Sequence, residues 1–230
     1  MINAVILTPE ITKGMKSVGS KSLLKIKNKT LLEHQIDYLF SLSRKTLINI
    51  VTGFDHDKIN KHINEKYEKR IDQIRLIYDD KYEGTNHGHS IKLLLETISP
   101  EELLIINSGI LIKKLSIGLE SFTGNSKIYL LDKTKNNFNI GCDSNSSDKN
   151  VNYLFYDLPC VWAECAYLNK SCIISLNEIL KSKKMDQMYL FELINTLINQ
   201  ETVFEKTYIK KNNILNISGI KDLIKAKQFV

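Results

Sequence analysis

Nowhere in its 230 residues does this sequence hold a run of about 18 apolar residues, which excludes a hydrophobic membrane-spanning helix at the level of composition. It also has no CxxC pair. Its four cysteines, Cys142, Cys160, Cys165 and Cys172, are spaced for neither a zinc ribbon nor a thioredoxin-like site, and reduced, packed thiols are expected. No basic region precedes the first apolar run of "MINAVILT", so those residues read as an opening strand rather than a signal peptide, and a cytoplasmic protein is expected. Nor is charge gathered in one block. The formal net charge of +6 is spread over lysines along the whole chain, which suits a phosphate-bearing small molecule and gives a nucleic-acid platform little support. With no internal repeat and no long linker, a single domain over residues 1–230 is expected.

Strand-like and helix-like runs alternate through the first half. Asn3 to Leu7 reads as a strand. Thr30 followed by Glu33 is a capping box for a helix with Leu32, Ile36, Leu39 and Phe40 on its apolar face. Leu47 to Val51 is a second strand, Ile59, Ile63 and Tyr67 mark a second helix, and Ile74 to Ile77 a third strand. A loop from Asp79 to His89, a helix over Ser90 to Ile98 and a strand at Leu103 to Ile106 complete the pattern. The alternation predicts an α/β fold with a doubly wound, mostly parallel sheet flanked by helices, in which ligands bind beyond the carboxyl ends of the strands. In the second half a strand runs from Lys127 to Leu131, and Asn136 to Asn150 reads as a surface loop or hairpin connection. Helices are expected at Trp162 to Leu168, Ile173 to Leu180 and Leu190 to Ile198. Strands at Phe204 to Ile209 and Ile214 to Ile217 follow, with a last helix on Leu223, Ile224 and Phe229.

The stretch "AVILTPEITKGMKSVGSKSLL", Ala4 to Leu24, is an apolar strand followed by a loop of small and basic residues. It has the outline of a phosphate-binding loop with few of the glycines such a loop uses. Glu10 adds a side chain and a negative charge near the expected phosphate path. At about 4 Å and an effective dielectric near 20, one repulsive unit pair costs roughly 4 kcal/mol before screening.

Set against known signatures, the chain resembles the nucleotidyltransferases of the nucleotide-diphospho-sugar transferase (GT-A-like) fold. Their pattern A-A-G-x-G-x-R-M, a spacer, and P-K-x-L falls without a gap on Thr8 to Met15 and on Ser20-Lys21-Ser22-Leu23. "LLEHQIDYLFSL", "INIVTGFDHDKI", "YEGTNHGHSI", "FELINTLI" and "NISGIKDLIKA" are similar to further blocks of that family, in its order. The resemblance implies transfer of a nucleoside monophosphate from a triphosphate to a sugar phosphate or a phosphocholine-type acceptor. Lys21 would then be the catalytic lysine over the phosphates, and Leu7, Thr8, Lys13, Lys16, Gly84, Thr85, Asn86 and Asn107 would bind the nucleotide. The two aspartates that hold magnesium in the family fall on Gly109 and Ser218, and no metal is expected unless another carboxylate replaces them.

Each candidate also has a plainer reading. Lys21 can be a solvated loop lysine. Lys13 and Lys16 can replace the missing arginine only as point charges without its fork. His87 and His89, flanking Gly88, can bind a metal or a phosphate, or can be partly exposed loop histidines. Asp132 and Glu164, the latter expected at the start of a helix, are candidate substitute ligands or surface groups. Ser218 suits the N-cap of the last helix. Three functions remain open: a transferase of this lineage, a protein that keeps the cleft for binding or assembly after losing the metal chemistry, and a glycosyltransferase whose D-x-D motif would be Asp55-His56-Asp57.

Overall fold

The computed structural model describes residues 2–9, 11, 19–43, 45–113, 124–131, 140–143, 148–219 and 221–230. Its centre is β1 (Ile2–Thr8), a strand of apolar residues buried on both faces. Side chains alternate across a strand, so Val5 and Leu7 enter one core cluster while Ala4 and Ile6 enter the other. Such a run is stable only between two covering layers. β1 pairs in parallel with β4 (Thr46–Thr52) on one side and β6 (Leu103–Asn107) on the other, and β4 pairs in parallel with β5 (Ile74–Tyr78).

Helices connect these strands. A 3-10 turn, Lys21–Leu23, and a small ribbon of β2 (Lys25–Ile26) and β3 (Lys29–Thr30) lead into α1 (Leu31–Leu42). The expected capping box forms: Thr30 Oγ1 accepts the Glu33 N–H at 3.1 Å and the Glu33 carboxylate accepts the Thr30 N–H at 2.6 Å. Two terminal N–H groups are thereby satisfied, an arrangement in which the cap alone contributes about 1 kcal/mol. Helices α2 (His56–Lys66) and α3 (His87–Thr97) follow β4 and β5. The short strand β7 (Ile110–Ile112) leaves the main sheet to pair with β13 (Ile214–Asn216).

The remaining strands extend the sheet. β11 (Cys160–Leu168) lies antiparallel to β6 and carries β8 (Ser126–Leu131) on its other edge, and β8 pairs in parallel with β12 (Phe204–Ile209). β9 (Ile140–Cys142) and β10 (Phe155–Tyr156) finish the nine-stranded sheet. Helices α4 (Lys170–Ile179) and α5 (Leu190–Asn199) bury Leu176, Leu193, Ile194 and Leu197 in the larger core, and α6 (Asp222–Phe229) closes the chain. The α/β class and the mostly parallel sheet flanked by helices are as the sequence predicts, in one domain.

Three local expectations are corrected. Trp162 to Leu168 is not a helix but most of β11. Its apolar residues are buried against both core layers, and a run of that length that is apolar everywhere but at Glu164 has no period that separates a buried strand from a helix. The expected loop from Asn136 to Asn150 contains β9, hydrogen-bonded into the sheet; residues 136–139 and 144–147 lie outside the described residues. Ser218 does not immediately precede the last helix, which begins at Asp222. Its N–H and hydroxyl instead donate to Asp222 at 2.9 and 2.8 Å. Among the described residues no helix is long and apolar enough to cross a membrane.

Candidate functional site

Beyond the carboxyl end of β6 lies a cavity of about 580 Å³, whose lining includes Lys21, Asn107, Glu164, Asn216 and Ser218 together with Tyr156, Tyr189 and Phe191. Its polar wall is built from chain turns. Gln35, buried on α1, donates to the carbonyls of Asn107 at 2.9 Å and Ile110 at 2.8 Å, fixing the turn between β6 and β7. Asn107 is thereby held with its own Oδ1 on the Ser108 N–H at 2.8 Å and its amide N–H pointed at Glu164, 2.8 Å away. Asn216 donates to the other Glu164 oxygen at 2.6 Å. A single carboxylate therefore joins the ends of β6 and β13.

Glu164 reaches this place through an unusual backbone. The β11–β8 register shifts between Trp162 and Ala166, and within that bulge Glu164 has φ +53, a left-handed conformation that costs a non-glycine residue of order 1–3 kcal/mol. Bulges redirect side chains, and here the effect is to turn a carboxylate from a buried strand toward the cavity. The indole N–H of Trp162 donates to the Cys165 carbonyl at 2.9 Å, across the bulge.

Gly109 sits beside this cluster. A Cβ added there would lie 3.0 Å from Lys21 Nζ, 3.0 Å from Asn216 Oδ1 and 3.1 Å from the Ile217 carbonyl, while the Gly109 carbonyl accepts the Ile217 N–H at 2.7 Å. The space in which a larger side chain would begin is lined by an ammonium, an amide and backbone. Asp222 takes three donors on one oxygen, from Ser218 twice and from the Gly219 N–H at 3.2 Å. Burial raises its pKa, but those donors, helped by Lys225, hold the carboxyl below the ordinary aspartate value.

Part of the lining is aromatic. Phe191 stacks on Tyr189 with ring centroids 6.2 Å apart and meets Tyr156 edge-on at 5.7 Å. His87 supports Tyr189 at a centroid distance of 6.0 Å, and its Nδ1 accepts the Leu190 N–H at 3.2 Å.

The sequence candidates divide among several places. Lys21, Asn107 and Ser218 line the cavity, and Gly109 lies against Lys21. Leu7 and Thr8 lie at the end of β1: the Leu7 carbonyl accepts the Ser108 N–H, and the Thr8 hydroxyl shares a 2.6 Å hydrogen bond with Ser22. Gly84, Thr85 and Asn86 are not among the cavity-lining residues. Gly84 and Asn86 dock the segment before α5, with Asn86 donating to the Gln187 carbonyl at 2.7 Å and Gly84 accepting from the Gln187 side chain, while Thr85 donates to Lys81 at 2.9 Å. Lys13, Lys16, Glu10 and Asp132 lie outside the described residues. His87 and His89 are not exposed loop residues; both are buried in the first turn of α3, and only His87 reaches the cavity. Glu164 is on a strand, not at a helix start. In the D-x-D stretch, Asp55 accepts the Ser20 N–H at 2.8 Å and pairs with Lys58 at 2.7 Å, and His56 Nδ1 lies 2.6 Å from the Thr52 hydroxyl.

Sequence reasoning does not single out Tyr156, Tyr189 or Phe191, and it places Asn216 only as the first residue of the NISGIKDLIKA block. Tyr189 and Phe191 flank the start of an amphipathic helix, where aromatic residues read as core, and Tyr156 lies in a two-residue strand with no periodicity.

Comparison with known proteins agrees with this architecture. Residues 20–130 match a family described as a domain of unknown function, DUF6564. Among curated proteins there is no match. Among solved structures, the CTP:phosphocholine cytidylyltransferase LicC from Streptococcus pneumoniae is similar over 99% of this chain and 98% of its own, with a TM-score of 0.81 at 18% identity. A nucleoside-diphosphate-sugar pyrophosphorylase from Vibrio cholerae gives 0.80 at 11% identity, covering 99% of this chain and all of its own. HddC from Yersinia pseudotuberculosis, complexed with GMP-PN, gives 0.70 at 17% identity, covering 99% of each chain. The fold is that of the nucleotidyltransferases.

Proposed function

We propose that this protein is a nucleotidyltransferase-like binder of phosphate esters. The phosphate of a nucleotide or of a sugar-phosphate or phosphocholine-type ligand is held at Lys21, and the organic head lies against Tyr156, Tyr189 and Phe191. The observation that carries the reading is one cavity whose lining holds both an ammonium, Lys21, and the stacked rings of Tyr189 and Phe191. An aromatic face suits either the apolar face of a sugar or a quaternary ammonium, and a phosphate needs the positive charge.

Binding rather than metal-assisted transfer is favoured by the donor set. The nucleotidyltransferases that the sequence resembles would hold magnesium at the positions of Gly109 and Ser218, and neither residue brings a carboxylate. Glu164 and Asp222 are carboxylates of this cavity, but both Glu164 oxygens already accept amide donors, and Asp222 accepts from Ser218 and Gly219. Lys21 stands 3.0 Å from where a side chain at position 109 would begin. These groups do not fit a magnesium ion held as in those nucleotidyltransferases.

A second reading, a working transferase, is favoured by Glu164. A carboxylate carried into the cavity on a strained backbone has the signature of a functional group. In that case an acceptor phosphate attacks the α-phosphorus in line, pyrophosphate leaves, and Lys21 stabilises the charge on the transferred group.

The two readings separate in one experiment. Calorimetric titration with CTP, UTP and glucose 1-phosphate, with and without magnesium, is run beside pyrophosphate release in the presence of an acceptor. Saturable binding that changes less than about threefold with magnesium, and is lost in Lys21→Met, is expected. Turnover near 1 per second or faster, within the ordinary enzymatic range, would establish the transferase instead. No binding of any of these ligands would overturn both readings.

A further inference from the structure

The turn after β5 contributes two carboxylates, Asp79 and Asp80, and the segment before α5 a third, Asp186, around one buried imidazole in the first turn of α3. His89, whose side chain is 7% exposed, makes no hydrogen bond through either ring nitrogen. Its Nε2 faces Asp79 Oδ1 at 3.7 Å, and its Nδ1 faces Asp186 Oδ2, also at 3.7 Å. Asp79 is fully buried, its Oδ1 accepting the Lys81 N–H at 3.0 Å and its Oδ2 the Ser90 hydroxyl at 2.7 Å, each with a second lone pair left, and the other Asp186 oxygen is buried without a hydrogen-bond partner. One donor atom from each of Asp79, Asp80 and His89 lies within 4.8 Å of the others. None of these three lines the cavity described above.

From this geometry we infer that Asp79, Asp80 and His89 form a binding site for a divalent transition ion of the zinc class. An ordinary buried histidine hydrogen-bonds through at least one nitrogen, and leaving a buried polar group unpaired is costly. A concentration of carboxylates around it calls for a positive charge, supplied either by a proton on the ring or by a metal. The distances separate the two. An imidazolium bonded to carboxylate closes to about 2.7–2.9 Å, well short of the 3.7 Å found on both sides. Two ligand atoms each about 2.1 Å from one ion lie roughly 3.4 to 4.2 Å apart for angles from tetrahedral to linear, and the Nε2 to Asp79 separation falls in that range.

The nitrogen and oxygen donors suit zinc, cobalt or manganese better than magnesium, which prefers oxygen alone. Asp186 completes the arrangement from the opposite side of the ring. A metal-bound histidine commonly directs its other N–H to a carboxylate, which fixes the tautomer and strengthens the ligand, and Asp186 faces Nδ1. Asp80 is exposed, which gives an ion a path in from solvent. The site ties β5 to α3. Through Asp186 it extends to the segment that Asn86 and Gln187 dock, so the ion is a structural one that braces the approach to Tyr189.

The test is titration of the chelator-treated full chain with zinc, followed by calorimetry and thermal unfolding, with cobalt as a spectroscopic probe. One zinc per chain and a Tm raised by several degrees are expected. Affinity should fall at least tenfold in Asp80→Asn, an exposed position that leaves the fold intact, fall 10- to 100-fold in Asp186→Asn, and vanish in His89→Gln. Bound cobalt should show ligand-field bands without the intense sulfur charge-transfer absorption of a thiolate site. Absence of stoichiometric binding, equal affinity in Asp80→Asn and His89→Gln, or a thiolate spectrum would overturn the inference. So would a Tm that follows pH but not zinc, since that would leave a proton as the only occupant between the carboxylates.

Discussion

Replacing Gly109 by Asp puts back the carboxylate that the sequence pattern leads one to expect, and it should weaken ligand binding rather than repair a metal site. The new Cβ would begin 3.0 Å from Lys21 Nζ and Asn216 Oδ1 and 3.1 Å from the Ile217 carbonyl. The first two are ends of flexible side chains and can yield by a few tenths of an ångström. The third is backbone held by the 2.7 Å bond from Ile217 to Gly109, so some strain remains. The larger effect is electrostatic, because the introduced carboxylate reaches the Lys21 ammonium before any ion does. Two unit charges about 4 Å apart at an effective dielectric near 20 interact by roughly 4 kcal/mol, and salt screening at a partly open site lowers that to about 1–2 kcal/mol. At about 1.4 kcal/mol per tenfold, the affinity for a phosphate ester should fall by roughly 5- to 30-fold. Calorimetry with the best ligand of the parent protein measures this, with circular dichroism confirming that the variant is folded. Magnesium-dependent affinity that rises above the parent value in Gly109→Asp would refute the reasoning, because it would mean that a metal outcompetes the lysine for the new carboxylate.

Further expectations concern groups already described. Glu164→Ala removes the common acceptor of Asn107 and Asn216 and should lower unfolding stability by about 1–3 kcal/mol in denaturant titration; a neutral result would mean that water takes over both amides without loss. Asp222, held below the ordinary aspartate value, contributes stability that is complete above the unfolded value of about 3.9 and is lost as pH falls through the folded one. The stability difference between the parent and Asp222→Asn should therefore shrink below about pH 4, and a difference that stays constant down to pH 2 would contradict the assigned hydrogen bonds. Burial pushes the Cys142 thiol up to about 12 and the Cys172 thiol up to about 11, and both are buried. Neither should react with a polar disulfide reagent at pH 8 until the chain is unfolded, and rapid labelling of the native protein would show that the core opens.

Much of this fold is legible because the local signals agree with the global one. Thr30 and Glu33 mark a helix start by a hydrogen-bond pattern that needs no tertiary partner, and the apolar strands of the first half stand between clear helical periods. The run from Trp162 to Leu168 lacks any such signal, because a strand buried on both faces loses the alternation that marks a half-buried one. The site divides in the same way. Lys21 and Asn107 lie at fixed distances from strand ends, so a collinear motif finds them. Glu164, a candidate carboxylate from sequence, is turned into the cavity by a bulge, and Asn216, which opens the NISGIKDLIKA block, is brought there by a ribbon partner, β7, more than a hundred residues away, so no spacing along the chain encodes their shared contact. Gly84 and Asn86 illustrate the converse. Small and amide residues in a turn can contact a ligand, but the same chemistry serves to dock a neighbouring segment, and here their hydrogen bonds go to Gln187.

The pairing of β1 with β6 has a consequence for how the chain is made. Ile6 lies beside Ile106 in that ladder, so β1 is synthesised about a hundred residues before the neighbour that covers one of its edges. On a ribosome adding roughly 5–20 residues per second, that edge stays open for several seconds, an apolar ladder with unpaired N–H and C=O groups. Long-range parallel pairing is also intrinsically slow, because loop closure must precede the contacts that reward it. The nascent first half, with β1, β4 and β5 able to pair while β6 is still in the ribosome, is therefore the species in which chaperone contact or aggregation is to be sought, and a stalled chain ending before Leu103 would expose that surface for as long as the stall lasts.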